Sequence, residues 1–256
     1  MTRPAAIVTG GARGIGLACA AALADAGFDL FVVDLAEKAA DRLAADITAH
    51  GAKFAYHCGD IADLDSHAAL VDAATSAFGR IDCLINNAGI SAVVRGDLLE
   101  LRPDNFDRIL SINLRGTVFL SQAVARAMLA TPGDYRRSII TITSVSAEMA
   151  SPERADYCIS KAGLSMWGKD PRAAARRRKY RCVRGAAGHH PHRHDIRRNR
   201  QIRRVDRRRA GAGEALGRSR RCRRRGGGTR RRQARLFDRL DHQCRRRTVG
   251  AEAVNR

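Results

Sequence analysis

Between residues 5 and 34 the chain runs apolar strand, glycine turn, helix and second apolar strand, an order that few folds accommodate. Ala5-Ala6-Ile7-Val8 leads into Thr9-Gly10-Gly11-Ala12-Arg13-Gly14-Ile15-Gly16, and a helical pattern through Leu17, Ala21, Leu23 and Ala24 follows at once. Glycines in such a turn let backbone approach a ligand, and the helix N-terminus favours an anion. The stretch reads as a cradle for the pyrophosphate of a dinucleotide, with candidate contacts at Gly10, Arg13, Gly14, Ile15 and Gly16. The second strand, Asp29-Leu30-Phe31-Val32-Val33, ends at Asp34. A carboxylate there accepts both ribose hydroxyls of NAD and repels the extra phosphate of NADP. Arg13 pulls the other way, because a guanidinium pairs with a 2′-phosphate. The balance favours NAD and keeps NADP open.

The alternation continues. Asp41 to His50 predicts a helix, and Lys53 to Cys58 a third strand that leaves through Gly59-Asp60-Ile61. A short acidic side chain at Asp60 and an apolar one at Ile61 suit the edge and face of an adenine. Leu64 to Phe78 predicts a helix, Ile81 to Ile85 a fourth strand, and Asn86-Asn87-Ala88-Gly89 its exit. Small residues at Asn87, Ala88 and Gly89 would let backbone come close to a cofactor. Phe106 to Met128 reads as one long apolar-periodic helix carrying Asn113, a polar residue on a buried face that needs a partner. Ser138 to Ser146 is the fifth strand with its exit loop. Repeated βαβ units with ligand groups at strand carboxyl ends describe an α/β, Rossmann-like doubly wound parallel sheet in three α/β/α layers.

Chemistry concentrates at Tyr157-Cys158-Ile159-Ser160-Lys161. Positions four apart share a helix face, so the Lys161 ammonium can lie beneath the Tyr157 ring. A cation there favours the phenolate; lowering the pKa by roughly three units corresponds to about 4 kcal/mol. Such a phenol can exchange a proton with an alcohol or a carbonyl. Ser144 precedes Tyr157 by thirteen residues, so a strand end and a helix could bring both hydroxyls to one carbonyl.

In order along residues 5–169, Thr9-Gly10-x-x-x-Gly14-x-Gly16, Asp60-Ile61, Asn86-Asn87-Ala88-Gly89, Asn113, Ser144 and Tyr157-x-x-x-Lys161 resemble the short-chain dehydrogenase/reductase family. Within it the chain is most similar to the branch named 3-oxoacyl-carrier-protein reductases. The resemblance implies an NAD(P)-dependent oxidoreductase acting on a small-molecule secondary alcohol or ketone. It also implies catalytic roles. Tyr157 would be general acid or base, Lys161 its electrostatic support and the holder of the nicotinamide ribose. Ser144 would be the donor to the substrate oxygen, and Asn113 the anchor of a proton-relay water. A homodimer or homotetramer is implied for the intact form. A cofactor-binding protein without catalysis is the alternative on the same fold.

The last third has another composition. Residues 1–169 hold 16 basic and 19 acidic side chains, whereas residues 170–256 hold 31 and 7. The net charge of +21 is therefore a property of the tail alone. It argues for nucleic acid only if that tail is a genuine polyanion binder. The seven cysteines show no Cys-x-x-Cys pair, and no run of apolar residues could span a membrane. Those features lead to the expectation of a cytoplasmic protein without nucleic-acid or membrane partners. Residues 1–169 read as one NAD(P)-binding domain carrying Ser144, Tyr157 and Lys161. Residues 170–256 read as an arginine-rich, disordered segment in which the family's last strands are missing or scrambled.

Reading codons one nucleotide later explains that segment. Ala187 and Gly188 then permit Pro-Gly, and His189 to His194 permit Ile-Ile-Arg-Thr-Asp-Met, which is a sixth-strand exit of the family type. Phe237 to Thr248 permit Ser-Thr-Gly-Ser-Ile-Ile-Asn-Val-Asp-Gly-Gly-Leu, the expected ending. In that frame residues 170–256 complete the same domain, and the histidine run is no metal site. As printed, the chain is expected to lose strands six and seven, one wall of the nicotinamide pocket, and with them its activity. Resequencing the coding DNA from the Trp167 codon to the Arg172 codon tests this. An extra base absent from an independent clone is the expected result; a confirmed printed frame with matching intact mass would make the tail real.

Overall fold

The computed structural model describes residues 3–132 and 137–168, together with the backbone of a strand at 180–187. Six parallel strands form one sheet: β1 (Ala5–Thr9), β2 (Asp29–Asp34), β3 (Phe54–Cys58), β4 (Cys83–Asn86), β5 (Arg137–Ser144) and β6 (Tyr180–Ala187). Their spatial order is β3-β2-β1-β4-β5-β6, the doubly wound arrangement. Among the described residues six α-helices cover it: α1 (Gly14–Asp25), α2 (Asp41–Thr48), α3 (His67–Phe78), α4 (Pro103–Leu110), α5 (Thr117–Ala130) and α6 (Ala155–Trp167). None among the described residues is long and apolar enough to cross a membrane.

Strand alternation sorts the core into two layers. Ala6, Val8, Leu30 and Val32 pack with Leu23, Leu43 and Ile47 on one face. Ile7, Phe31, Val33 and Leu84 pack with Leu70, Leu120 and Val124 on the other. A strand covered on both faces has no polar side, which is why β1 and β2 read as unbroken apolar runs. Chain direction across the sheet reverses between β1 and β4, and that reversal opens a crevice beyond their carboxyl ends.

Three departures from the sequence reading have local causes. The helix expected from Leu64 begins at His67, because Asp60 and Asp63 direct residues 62–66 into hydrogen-bonded turns. The long helix expected from Phe106 to Met128 starts at Pro103, a favoured first helical residue, and runs on to Ala130. Its middle, Ser111–Gly116, widens into a π-helical turn that contains Asn113. The third departure is β6, which corrects the expectation that the sixth strand is lost. It lies parallel to β5 from Arg137↔Tyr180 to Ser144↔Ala187. A ladder is built from backbone N–H and C=O groups, and the outer edge of β5 offers them whatever side chains the incoming segment carries. The expected seventh strand near residues 237–248 and the histidines at 189–194 lie outside the described residues.

The start of β4 is locked to β1 by a buried ion pair. Arg80 Nε and Nη2 donate to the Asp82 carboxylate at 2.7 and 2.6 Å, and Asp82 Oδ2 also accepts the Ala5 N–H at 3.0 Å. Removing Asp82 takes from the buried guanidinium the carboxylate that two of its nitrogens share. Asp82→Ala is therefore expected to lower the unfolding free energy by about 3–5 kcal/mol, read from urea midpoints. A change below about 1 kcal/mol would show that the pair does not hold the strands.

Candidate active site

The glycine turn reaches its shape through positive φ at Gly10 and Gly14, a region that costs other residues dearly. A side chain at Gly16 would run into the Gly10 carbonyl and come within 2.6 Å of the Asn87 amide nitrogen. Gly14 and Gly16 thus shape the turn from behind. Gly10, Arg13 and Ile15 face a cleft of about 380 Å³. Asp34, Asp60 and Ile61 close its far end, and Asn87, Ala88 and Gly89 its near wall. Tyr157 and Lys161 line the same cleft, so eleven residues from five segments converge there.

Polar contacts set each of these groups. Asp34 Oδ2 accepts the Ala12 N–H at 2.9 Å and Oδ1 its own neighbour's, Leu35, at 2.8 Å, which fixes the carboxylate against the glycine turn. Thr9 Oγ1 accepts the N–H groups of Asn87 and Ala88, both at 3.1 Å, while the Asn87 amide donates to the carbonyls of Thr9 and Gly10. The two loops that face the cleft from β1 and β4 are therefore one unit.

On the α6 side, the Lys161 ammonium lies 5.8 Å from the centre of the Tyr157 ring and donates to the Ile142 carbonyl at 3.2 Å. Asn113 is fully buried and does not line the cleft. Its Oδ1 accepts the Ile90 N–H, and its Nδ2 donates to Ile90 O and Ser160 Oγ. Both amide hydrogens are committed to protein acceptors, so the side chain acts as a clamp. Ser144 ends β5, also behind the cleft lining; its Oγ accepts the Ser146 N–H at 3.2 Å. That leaves the hydroxyl hydrogen for another acceptor.

Three contributors escaped the sequence reading. Ser160 receives Asn113 and donates to the Tyr157 carbonyl at 2.8 Å; a serine on a buried helix face beside Lys161 was its signal. Ile142 contributes only a backbone oxygen, which no side-chain pattern reveals. Arg154 brings its guanidinium carbon to 5.7 Å from the Tyr157 ring centre, and its i, i+3 spacing could have been read. Among the described residues no group of three or more histidines, cysteines or acids is placed to hold a metal ion. Cys58, Cys83 and Cys158 are free thiols.

The strand order and the switch-point cleft define a Rossmann-type α/β protein. The chain belongs to the short chain dehydrogenase family, whose model matches residues 4–188. It is 39% identical over 160 residues to D-threitol dehydrogenase of Mycolicibacterium smegmatis, covering 62% of this chain and 59% of that protein. It is 36% identical over 166 residues to 3-oxoacyl-[acyl-carrier-protein] reductase of Synechocystis, covering 64% and 65%. A crystal structure of 3-oxoacyl-[acyl-carrier protein] reductase from Brucella melitensis in complex with NAD is 44% identical, with a TM-score of 0.71 over 80% of this chain and 81% of that one. The chain spans about 60% of the length of the curated relatives it matches.

Burial pushes the Lys161 ammonium down to about 8 from 10.5. The unfolded chain keeps that proton up to about pH 10.5, so the folded state carries a cost below about pH 8 that fades as pH rises through this window. Lys161→Met removes the cost. The variant's advantage in unfolding free energy should be at most about 3 kcal/mol at pH 7 and shrink towards pH 10. Denaturant unfolding of both chains across that range checks it, and an advantage constant with pH would refute it.

Proposed function

We propose that the chain is a nicotinamide-dependent oxidoreductase that interconverts a secondary alcohol and a ketone, in the manner of the 3-oxoacyl-carrier-protein reductases it resembles. The carrying observation is that Tyr157 and Lys161 share one cleft with the glycine turn and Asp34. The cleft suits a dinucleotide: Gly10 and Arg13 at the start of α1 line it, and a Cβ at Gly10 would come within 2.9 Å of the Ala88 Cα, so the bare Cα there lets the β1 and β4 exit loops close on each other beside the cleft. Once bound, the cofactor supplies or accepts the hydride.

The chain's own groups handle the proton and the orientation. The Tyr157 hydroxyl gives its proton to the ketone oxygen or takes it from the alcohol. The Lys161 ammonium, on a helix face one turn away, stabilises negative charge developing on the phenolic oxygen. Ser144, already an acceptor from Ser146, is set to donate to the substrate oxygen. With the Asn113 amide committed to Ile90 and Ser160, a relay water would rest on backbone oxygens near the π-turn instead of on that side chain. NAD is favoured over NADP because Asp34 is held in the cleft by two backbone N–H groups, where its charge opposes a 2′-phosphate; Arg13 in the same cleft opposes this preference. Exposed Phe119 on α5 and Ile159 on α6 support a homo-oligomer, and the absence of a spanning helix among the described residues is compatible with a cytoplasmic location.

A one-base frame change near Lys169 belongs to the same reading. Supporting it, β6 ends at Ala187, the position where the shifted codons permit the Pro-Gly exit. The expected loss of activity attaches to residues beyond that strand.

Tyr157→Phe tests the proposal in the chain with its frame restored by one deleted base. The variant is expected to lose about 10²- to 10⁴-fold in kcat for ketone reduction while its NADH dissociation constant stays within about twofold. Undiminished turnover would remove Tyr157 from the chemistry. Tighter binding of NADPH than of NADH would overturn the cofactor preference.

A further inference from the structure

We infer that His67 is a positioning residue for the adenine end of the cofactor, an inference that rests on the dinucleotide reading above. His67 is buried at the first position of α3 and does not line the cleft. The chain between β3 and α3 is folded back on itself. Asp60 Oδ1 accepts the Ala62 N–H at 2.9 Å, Asp63 N donates to Asp60 O at 3.1 Å, and Ser66 Oγ donates to Asp63 O at 2.8 Å. Those turns return the imidazole to Ile61, with Nε2 at 2.8 Å from the Ile61 carbonyl oxygen. A carbonyl only accepts, so Nε2 carries the hydrogen.

The same oxygen is confined from a second side. At Gly116 any Cβ would overlap the Ile61 carbonyl. One backbone oxygen is thus gripped between an imidazole N–H and a bare Cα. Both attachments matter to the site. Asp60 and Ile61 face the cleft, and Gly116 closes the π-turn that carries Asn113. His67 therefore sets where the adenine-facing loop stands, and Gly116 ties that loop to the segment clamped against Ile90 and Ser160.

Replacing the ring by alanine leaves a buried carbonyl without its donor and frees the loop. The test titrates NADH and reduced nicotinamide mononucleotide, which lacks the adenosine half, against the full printed chain and its His67→Ala, His67→Gln and Gly116→Ala variants. Binding is read by ligand fluorescence, so turnover is not required. His67→Ala is expected to weaken NADH about tenfold and leave the mononucleotide unchanged. His67→Gln, whose amide N–H reaches the same oxygen, should stay within about threefold of the unaltered chain. Gly116→Ala should weaken NADH from the opposite side, and it keeps the test decisive if the alanine variant at His67 does not fold. Equal weakening of both ligands, or a glutamine variant no better than alanine, would reduce His67 to a fold-stabilising residue and overturn the inference. NADH binding unchanged in both His67→Ala and Gly116→Ala would overturn it while leaving the dinucleotide reading intact. If only the frame-restored chain binds NADH, the same variants are read in it; NADH bound by neither chain would remove that reading, and this inference with it.

Discussion

The cleft depends on how β1 and β4 meet. These strands are neighbours in space although three helices and two strands separate them in the chain, and their pairing is where the sheet changes direction. At one end of the pair the Arg80–Asp82 ion pair and the Ala5 N–H fix the register. At the other end the Thr9 hydroxyl and the Asn87 amide join the two exit loops by four hydrogen bonds. The glycine turn, Asp34 through Ala12, and the wall at Gly89 all take their places from that junction.

A second junction holds the Tyr157–Lys161 helix in place. Asn113 sits where a helix widens by a π-turn, and its amide bridges the strand-exit residue Ile90 to Ser160 on α6. Ser160 in turn bonds the Tyr157 carbonyl, so the helix bearing Tyr157 and Lys161 is anchored to the same loop that walls the cofactor cleft. A fully buried amide with every hydrogen satisfied is rigid, because breaking any one bond leaves a polar group dry. The arrangement places an ammonium in the interior, and the fall of Lys161 towards neutrality is the physical mark of that placement.

Beyond Trp167 the relation between sequence and structure weakens. The arginine-rich composition predicts no strand, yet Tyr180–Ala187 completes an eight-residue ladder on β5. Backbone pairing asks little of side chains, so an edge can be filled by a segment whose composition gives no hint of it. The sheet order therefore does not by itself distinguish a well-matched sixth strand from an improvised one.

Strand positions, the glycine turn, Asp34, and the Tyr157–Lys161 face were all legible, because each follows from local chemistry: short unbroken apolar runs, glycines where φ must be positive, and residues one helical turn apart. Boundaries were less so. Residues 64–66 look helical by apolar spacing, but Asp60 and Asp63 capture the local N–H groups first. The π-turn at Asn113 is invisible to periodicity, since a widening of one residue within a long apolar helix shifts its pattern only slightly. What the sequence alone determined is the order of elements and the identity of the groups that could do chemistry. What only the tertiary structure decided is which of them face the cleft and which stand behind it. Asn113 and His67 stand behind it and are held by partners such as Ile90, Ser160 and Ile61, which packing between elements sets.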